Sequence, residues 1–185
     1  MANLSQADVK VLRKLRESEV LQDVNPDLIG LSRGVVVAPC GDGDRFDAFY
    51  MWLRGMMIAQ GLPPRIHVLS RNGGILVLPS GSPLNTNGRG KDYLEEIESS
   101  TVMKGISTLV AYSHAPCGAA GLARIPLLEQ FRLQREADAI IQERFLGVQV
   151  LCFFHVAWED GRERIYFFSG EKWRERQDKL SELAR

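Results

Sequence analysis

The sequence predicts an α/β fold: a mostly parallel central sheet, about four parallel strands plus one antiparallel, with helices on both faces. Short apolar runs rich in β-branched residues alternate with longer helical segments, the pattern of strand–helix–strand units. The runs are apolar throughout rather than alternating, as strands covered on both faces are. Near the end, VQVLCFFHVAW and RERIYFF flank Glu159-Asp160-Gly161, a hairpin signal that adds the antiparallel strand.

Ser5 to Asp8 reads as a capping box opening an N-terminal helix over 5–21, with Val9, Leu12 and Leu15 on one face. Asn25-Pro26-Asp27 interrupts the chain. GVVVAP (34–39) is the first buried strand, bounded by Gly and Pro. FDAFYMWLRGMMIAQ follows as a helix apolar around most of its circumference, stopped by Gly61, Pro63 and Pro64. So apolar a helix is expected to be covered twice, by the sheet and by another subunit. RIHVLS (65–70) is the second strand and leads into RNGG. PSGSPLNTNGRG (79–90) has the composition of a surface loop. KDYLEEIESSTVMKG is helical up to Gly105, and ISTLVAYS (106–113) is the third buried strand. Pro126 opens a helix to about Phe145, with Leu133, Ala137, Ile140 and Ile141 as its inner stripe. A charged helix over 171–184, with Trp173, Leu180 and Leu183 on its sparse apolar face, follows the hairpin. Length places all of 1–185 in one expected domain.

Lys+Arg and Asp+Glu are 23 each, so no global field draws nucleic acid or an anionic membrane. No apolar run approaches the ~20 residues that span a bilayer. The opening MANLSQADVKVLRKL carries charges where a signal peptide needs an uninterrupted apolar stretch. The cysteine count of 3 is odd and low, which fits reduced thiols in a cytoplasmic protein rather than a disulfide framework.

In parallel α/β sheets, ligands gather at the carboxyl ends of strands. Two stretches fall there, APCGDGDRF (38–46) and SHAPCGAAG (113–121). Cys40, His114 and Cys117 would supply two sulfurs and a nitrogen, the ligand number of a catalytic zinc site with its fourth position open. Each cysteine ends a strand in a polar, Gly-containing turn, whereas a packing cysteine belongs mid-strand, as Cys152 in VLCFF does. His67 alternates within its strand and reads as structural; His155, just before the hairpin, is a spare candidate for the site. Asp42 is placed either to bind the metal or to sit one shell out from it, and Arg45 to hold a carboxylate in a charge-assisted pair. Asp44 competes with Asp42 for that arginine.

These segments resemble the beta-class carbonic anhydrases. VVVAPCGDGDR is similar to that family's strand and Cys-x-Asp-x-Arg motif, and HVLSRNGGILV to its second strand with an Arg-Asn pair, here Arg71 and Asn72. LVAYSHAPCGAA resembles its His-x-x-Cys-Gly segment, and VQVLCFFHVAWEDGRERIYFF its last two strands. The resemblance runs from about residue 34 to 168. It implies a Zn2+ ion on Cys40, His114 and Cys117, reversible hydration of carbon dioxide to bicarbonate by zinc-bound hydroxide, and a homodimer or higher homo-oligomer. It assigns the catalytic roles to Asp42 and Arg45. Three departures bear on that. Arg45 falls one position late, with Asp44 where the family places its arginine. Ala119 replaces a glycine, and the segment from Cys117 to the last strand pair is short. A same-fold zinc hydrolase of carbon disulfide or carbonyl sulfide shares the same ligand set, and a zinc-binding homologue without turnover fits the displaced Arg45. Phe46, Phe49 and Tyr50 either line a pocket for a small apolar gas or pack their helix onto the sheet.

Overall fold

In the computed structural model, which describes residues 3–31 and 33–181, the chain runs through six helices and six strands. Helix α1 (Gln6–Glu17) opens on the predicted capping box: Ser5 Oγ accepts from Asp8 N–H, and the Asp8 carboxylate accepts from Ser5 N–H. It ends at Glu17, four residues before the expected Leu21. Ser18 N–H closes back on the last turn, and Glu19 takes a left-handed φ of 59° that turns the chain out of the helix. Leu21 instead begins strand β1 (Leu21–Asp23). This strand pairs with the far end of the chain, Leu21 opposite Phe168. Its 3 residues carry no period of their own, so the sheet edge they join, not their sequence, makes them a strand.

Strands β2 (Val35–Ala38), β3 (Ile66–Val68), β4 (Thr108–Ala115) and β5 (Gln149–Ala157) are the four parallel ones. Strand β6 (Glu163–Phe168) returns antiparallel after the predicted hairpin, and the sheet order is β1-β6-β5-β4-β2-β3. Every residue of β2 and β4 is buried. Fully burying one Val or Leu side chain is worth about 1.5–3 kcal/mol, so these two strands anchor the core.

The two faces are covered unequally. On one lie α1, α3 (Arg89–Lys104), α5 (Leu127–Arg144) and α6 (Gly170–Ser181), whose Leu15, Ile97, Phe131 and Trp173 pack on Val36, Leu109 and Phe154. On the other lies α2 (Gly43–Ala59), with Phe49, Leu53, Met56 and Met57 on Val37, Val110 and Phe153. Of the C-terminal helix expected over 171–184, residues 182–184 lie outside the described residues. A short helix α4 (Gly118–Leu122) follows β4. Among the described residues no helix is long and apolar enough to cross a membrane.

Sheet order sets which loops can meet. β2 and β4 are adjacent and parallel, with Ala38 opposite Ala111, so their carboxyl ends emerge side by side. Strand β4 also runs two residues beyond the expected 113, which carries His114 and Ala115 into the buried sheet.

Candidate metal centre

Cys40 stands just past β2, His114 is the seventh residue of β4, and Cys117 begins the turn into α4. Sheet order alone brings these ends together. One ligand-capable atom from each of the three lies within 4.8 Å of the others, and all three residues are buried. The sulfurs of Cys40 and Cys117 are 3.8 Å apart, not bonded. Two thiolates on a tetrahedral zinc, each about 2.3 Å from the ion, would sit about 3.8 Å apart. Both ring nitrogens of His114 are buried without a hydrogen-bond partner. An imidazole left so costs free energy unless something completes it. Two thiol sulfurs, an orphaned imidazole and a tetrahedral edge length together fit a thiophilic divalent cation.

The backbone around the sulfurs is donor-rich. Gly73 N–H donates to Cys40 Sγ at 3.3 Å. The N–H groups of Ala119 and Ala120 act on Cys117. The Cys40 thiol is pulled down to about 4, first by its hydrogen bond with Cys117 and then, against burial, by His114 and the Gly73 N–H. Cys117 is pushed up by its contact with Cys40, by burial and by the Cys40 charge. The pair therefore gives up one proton readily and holds the other between its two sulfurs. Cys152 by contrast is buried mid-strand, and burial pushes its thiol up.

Asp42 precedes α2, its carbonyl accepting from Phe46 N–H at 3.2 Å. Asp42 Oδ2 lies 3.8 Å from His114 Nε2, beside the cluster rather than within it. Arg45, in the first turn of α2, forms its ion pair with Glu163 of β6 at 2.9 Å. The Asp44 side chain lies outside what the structure describes. Glu163 also faces His155, Oε2 to Nε2 3.3 Å, and His155 Nδ1 is 3.0 Å from the Tyr112 hydroxyl. Tyr112 closes the circuit by donating to the Arg45 carbonyl at 3.4 Å. The phenol of Tyr112 is held up by burial and by the charges of Cys40, Asp42 and Glu163, so it stays a neutral donor. Its ring lies nearly parallel to that of His114, interplanar angle 16°, which fixes the imidazole's plane. Four residues thus stitch the first turn of α2 to β4, β5 and β6.

The sequence offers His155 only as a spare ligand, and it reaches this role through partners 43 and 8 positions away, counted from Tyr112 and Glu163. Glu163 carries no signal in the sequence at all. Gly73 has one: the paired glycines of the RNGG stretch into which the second strand leads. Phe49 packs between Tyr112 and Phe153, with ring centroids 4.3 and 5.8 Å away, so the helix-to-sheet alternative holds for it. The cavity beside Cys40, about 500 Å³, is lined instead by Asp42, Asn72, Leu84, Arg89, Ala119 and Leu122 among others.

Burial holds the His155 pKa below its ordinary value, against the pull of Glu163. A group whose folded pKa is depressed contributes stability above its unfolded pKa, near 6.5 for histidine, and loses it as pH falls through the folded value. The melting temperature is therefore expected to drop as the buffer is taken from about pH 7 towards 5. The drop should be shallower in His155→Gln. Parallel melting curves for the two proteins would remove His155 from the account.

The sequence matches no family model and no curated protein. Solved structures do align. The likeness is to beta-carbonic anhydrases. A carbonic anhydrase from Streptococcus mutans is 17% identical over 90% of this chain and 100% of that one, with a TM-score of 0.47. Isoform I of the beta-carbonic anhydrase from Trichomonas vaginalis is 12% identical over 90% and 100%, at 0.44. A carbon disulfide hydrolase in its apo form is 12% identical over 85% and 87%, at 0.36. At this distance the geometry of the site, not the likeness, decides what the chain can do.

Proposed function

We propose that the chain is a zinc-dependent, carbonic-anhydrase-like enzyme that interconverts carbon dioxide and bicarbonate, with Cys40, His114 and Cys117 as the zinc ligands. The observation that carries this is the pair of sulfurs 3.8 Å apart beside an imidazole with no hydrogen-bond partner. A zinc ion bound there supplies a Lewis acid that makes water nucleophilic at neutral pH. The chain's own residues do the rest. Asp42, beside the cluster, accepts a hydrogen bond from the attacking water and turns its lone pair towards the substrate. Leu84, Ala119 and Leu122 give a nonpolar gas an apolar wall. The Arg45–Glu163–His155–Tyr112 circuit fixes the turn that carries Asp42 and the plane of His114.

The reading extends to a homo-oligomer, supported by Met51 and Ile58 standing exposed on the outer face of α2, and the three free cysteines fit a cytoplasmic setting. The test is stopped-flow hydration of carbon dioxide from about pH 6.5 to 9 on protein of measured zinc content. Rapid hydration at about one zinc per chain supports the proposal. Zinc bound without hydration at any pH sinks it, and carbon disulfide and carbonyl sulfide become the next substrates to try.

A further inference from the structure

Arg45, Arg71 and Arg135 are half-buried, and each is met by a carboxylate: Glu163, Glu96 and Asp138. Arg89 is half-buried too, at the first position of α3, yet among the described residues no carboxylate reaches its guanidinium. A guanidinium keeps its charge at any physiological pH and cannot escape partial burial by losing a proton. Left without a carboxylate partner, it is a receptor for an oxyanion, which its planar fork can grip through two bonds.

Its location gives this meaning. Arg89 lines the same cavity of about 500 Å³ as Cys40 and Asp42, and it is the sole cationic side chain among the described residues that do so. Asn72 lines that cavity as well and adds a neutral amide. Arg71 does not compete for a ligand there. Its guanidinium is taken by Glu96 and donates to the Arg89 carbonyl at 3.3 Å, which secures the backbone from which Arg89 projects.

We infer that Arg89 is the anion receptor of this cavity and binds bicarbonate, the charged partner of the reaction. The identity of the anion rests on the proposed function; the unpaired cation does not. A neutral gas enters and an anion leaves through this cavity, and Arg89 gives that anion a cationic partner on its wall. In the reverse direction the same group collects the substrate.

The test uses the zinc-loaded full chain and phenylglyoxal, with modified arginines identified by peptide mass mapping. Arg89 should react faster than the carboxylate-paired Arg45, Arg71 and Arg135, and bicarbonate should slow it at least about threefold where chloride of equal ionic strength does not. In carbon dioxide hydration, the bicarbonate inhibition constant should rise about tenfold in Arg89→Ala and less in Arg89→Lys, with melting curves confirming that both fold. Equal protection by chloride, or an unchanged inhibition constant, overturns the inference. Protection of Arg89 in a protein that hydrates no carbon dioxide upholds the anion site and sinks the proposed activity. Fast hydration with Arg89 unprotected does the reverse.

Discussion

Cys117→Ser is expected to lose zinc. Exposed to a competing chelator, the parent chain should keep about one equivalent per chain, and the variant less than about a tenth of that. Losing an outer partner of a ligand already costs 10–100-fold in affinity, so losing the ligand itself should cost more than about 100-fold. The reason lies in the pair. Cys40 and Cys117 sit at 3.8 Å with one proton between them, and the second thiolate forms when a cation displaces that proton. A serine hydroxyl does not yield a comparable anion and is a harder donor than the cation prefers. Two more readouts test the same loss. Zinc should raise the melting temperature of the parent, by the equivalent of about 2.7 kcal/mol at a hundredfold excess over Kd, and leave the variant unmoved. Carbon dioxide hydration should vanish with the metal. A folded Cys117→Ser chain that retains a full equivalent of zinc would remove Cys117 from the ligand set.

The sheet was legible because its strands are short apolar runs bounded by glycine, proline or polar turns. The convergence of Cys40 with His114 and Cys117 was legible because both stretches end strands, and parallel strands present those ends on one edge. Elements whose identity comes from a distant partner were not legible. Leu21–Asp23 is a strand because β6 offers it an unpaired edge. Arg45 illustrates the same limit inside the site. Three positions from Asp42 and next to Asp44, it reads as the partner of one of those two, yet the carboxylate paired with it is 118 positions away. The hairpin that returns Glu163 across β5 is visible in Asp160-Gly161; what its strand faces after folding is not. Sequence proximity ranks partners by distance along the chain, and a charge in a folded protein pairs by distance through space. His155 obeys the same rule, since its apolar neighbours along β5 hide a polar contact made through the sheet to Tyr112.

Gly74→Ala should be the most damaging single-methyl change near the site. Gly74 has φ of +53°, and a Cβ built there would stand 2.6 Å from Cys40 N and 2.8 Å from the Pro39 carbonyl carbon. The left-handed conformation costs a side-chain-bearing residue about 1–2 kcal/mol. Forcing atoms into packed space adds about 1–3 kcal/mol, and here the obstacle is backbone, which cannot rotate aside as a side chain does. The melting temperature should fall on the order of 10 °C for a chain of this size. The clash also falls on the residue that positions a sulfur. Relief requires Cys40 to move, which changes the 3.8 Å sulfur separation and the bond from Gly73 N–H together. Zinc affinity should therefore drop at least about tenfold in the fraction that folds. Gly81→Ala is the control: nothing stands within 4 Å of its Cβ position, and its melting temperature and zinc affinity should match the parent. If Gly74→Ala melts lower but binds zinc as tightly as the parent, the glycine serves the fold alone. If both properties fall together, the close approach of the 71–74 turn to Cys40 is part of what builds the metal centre.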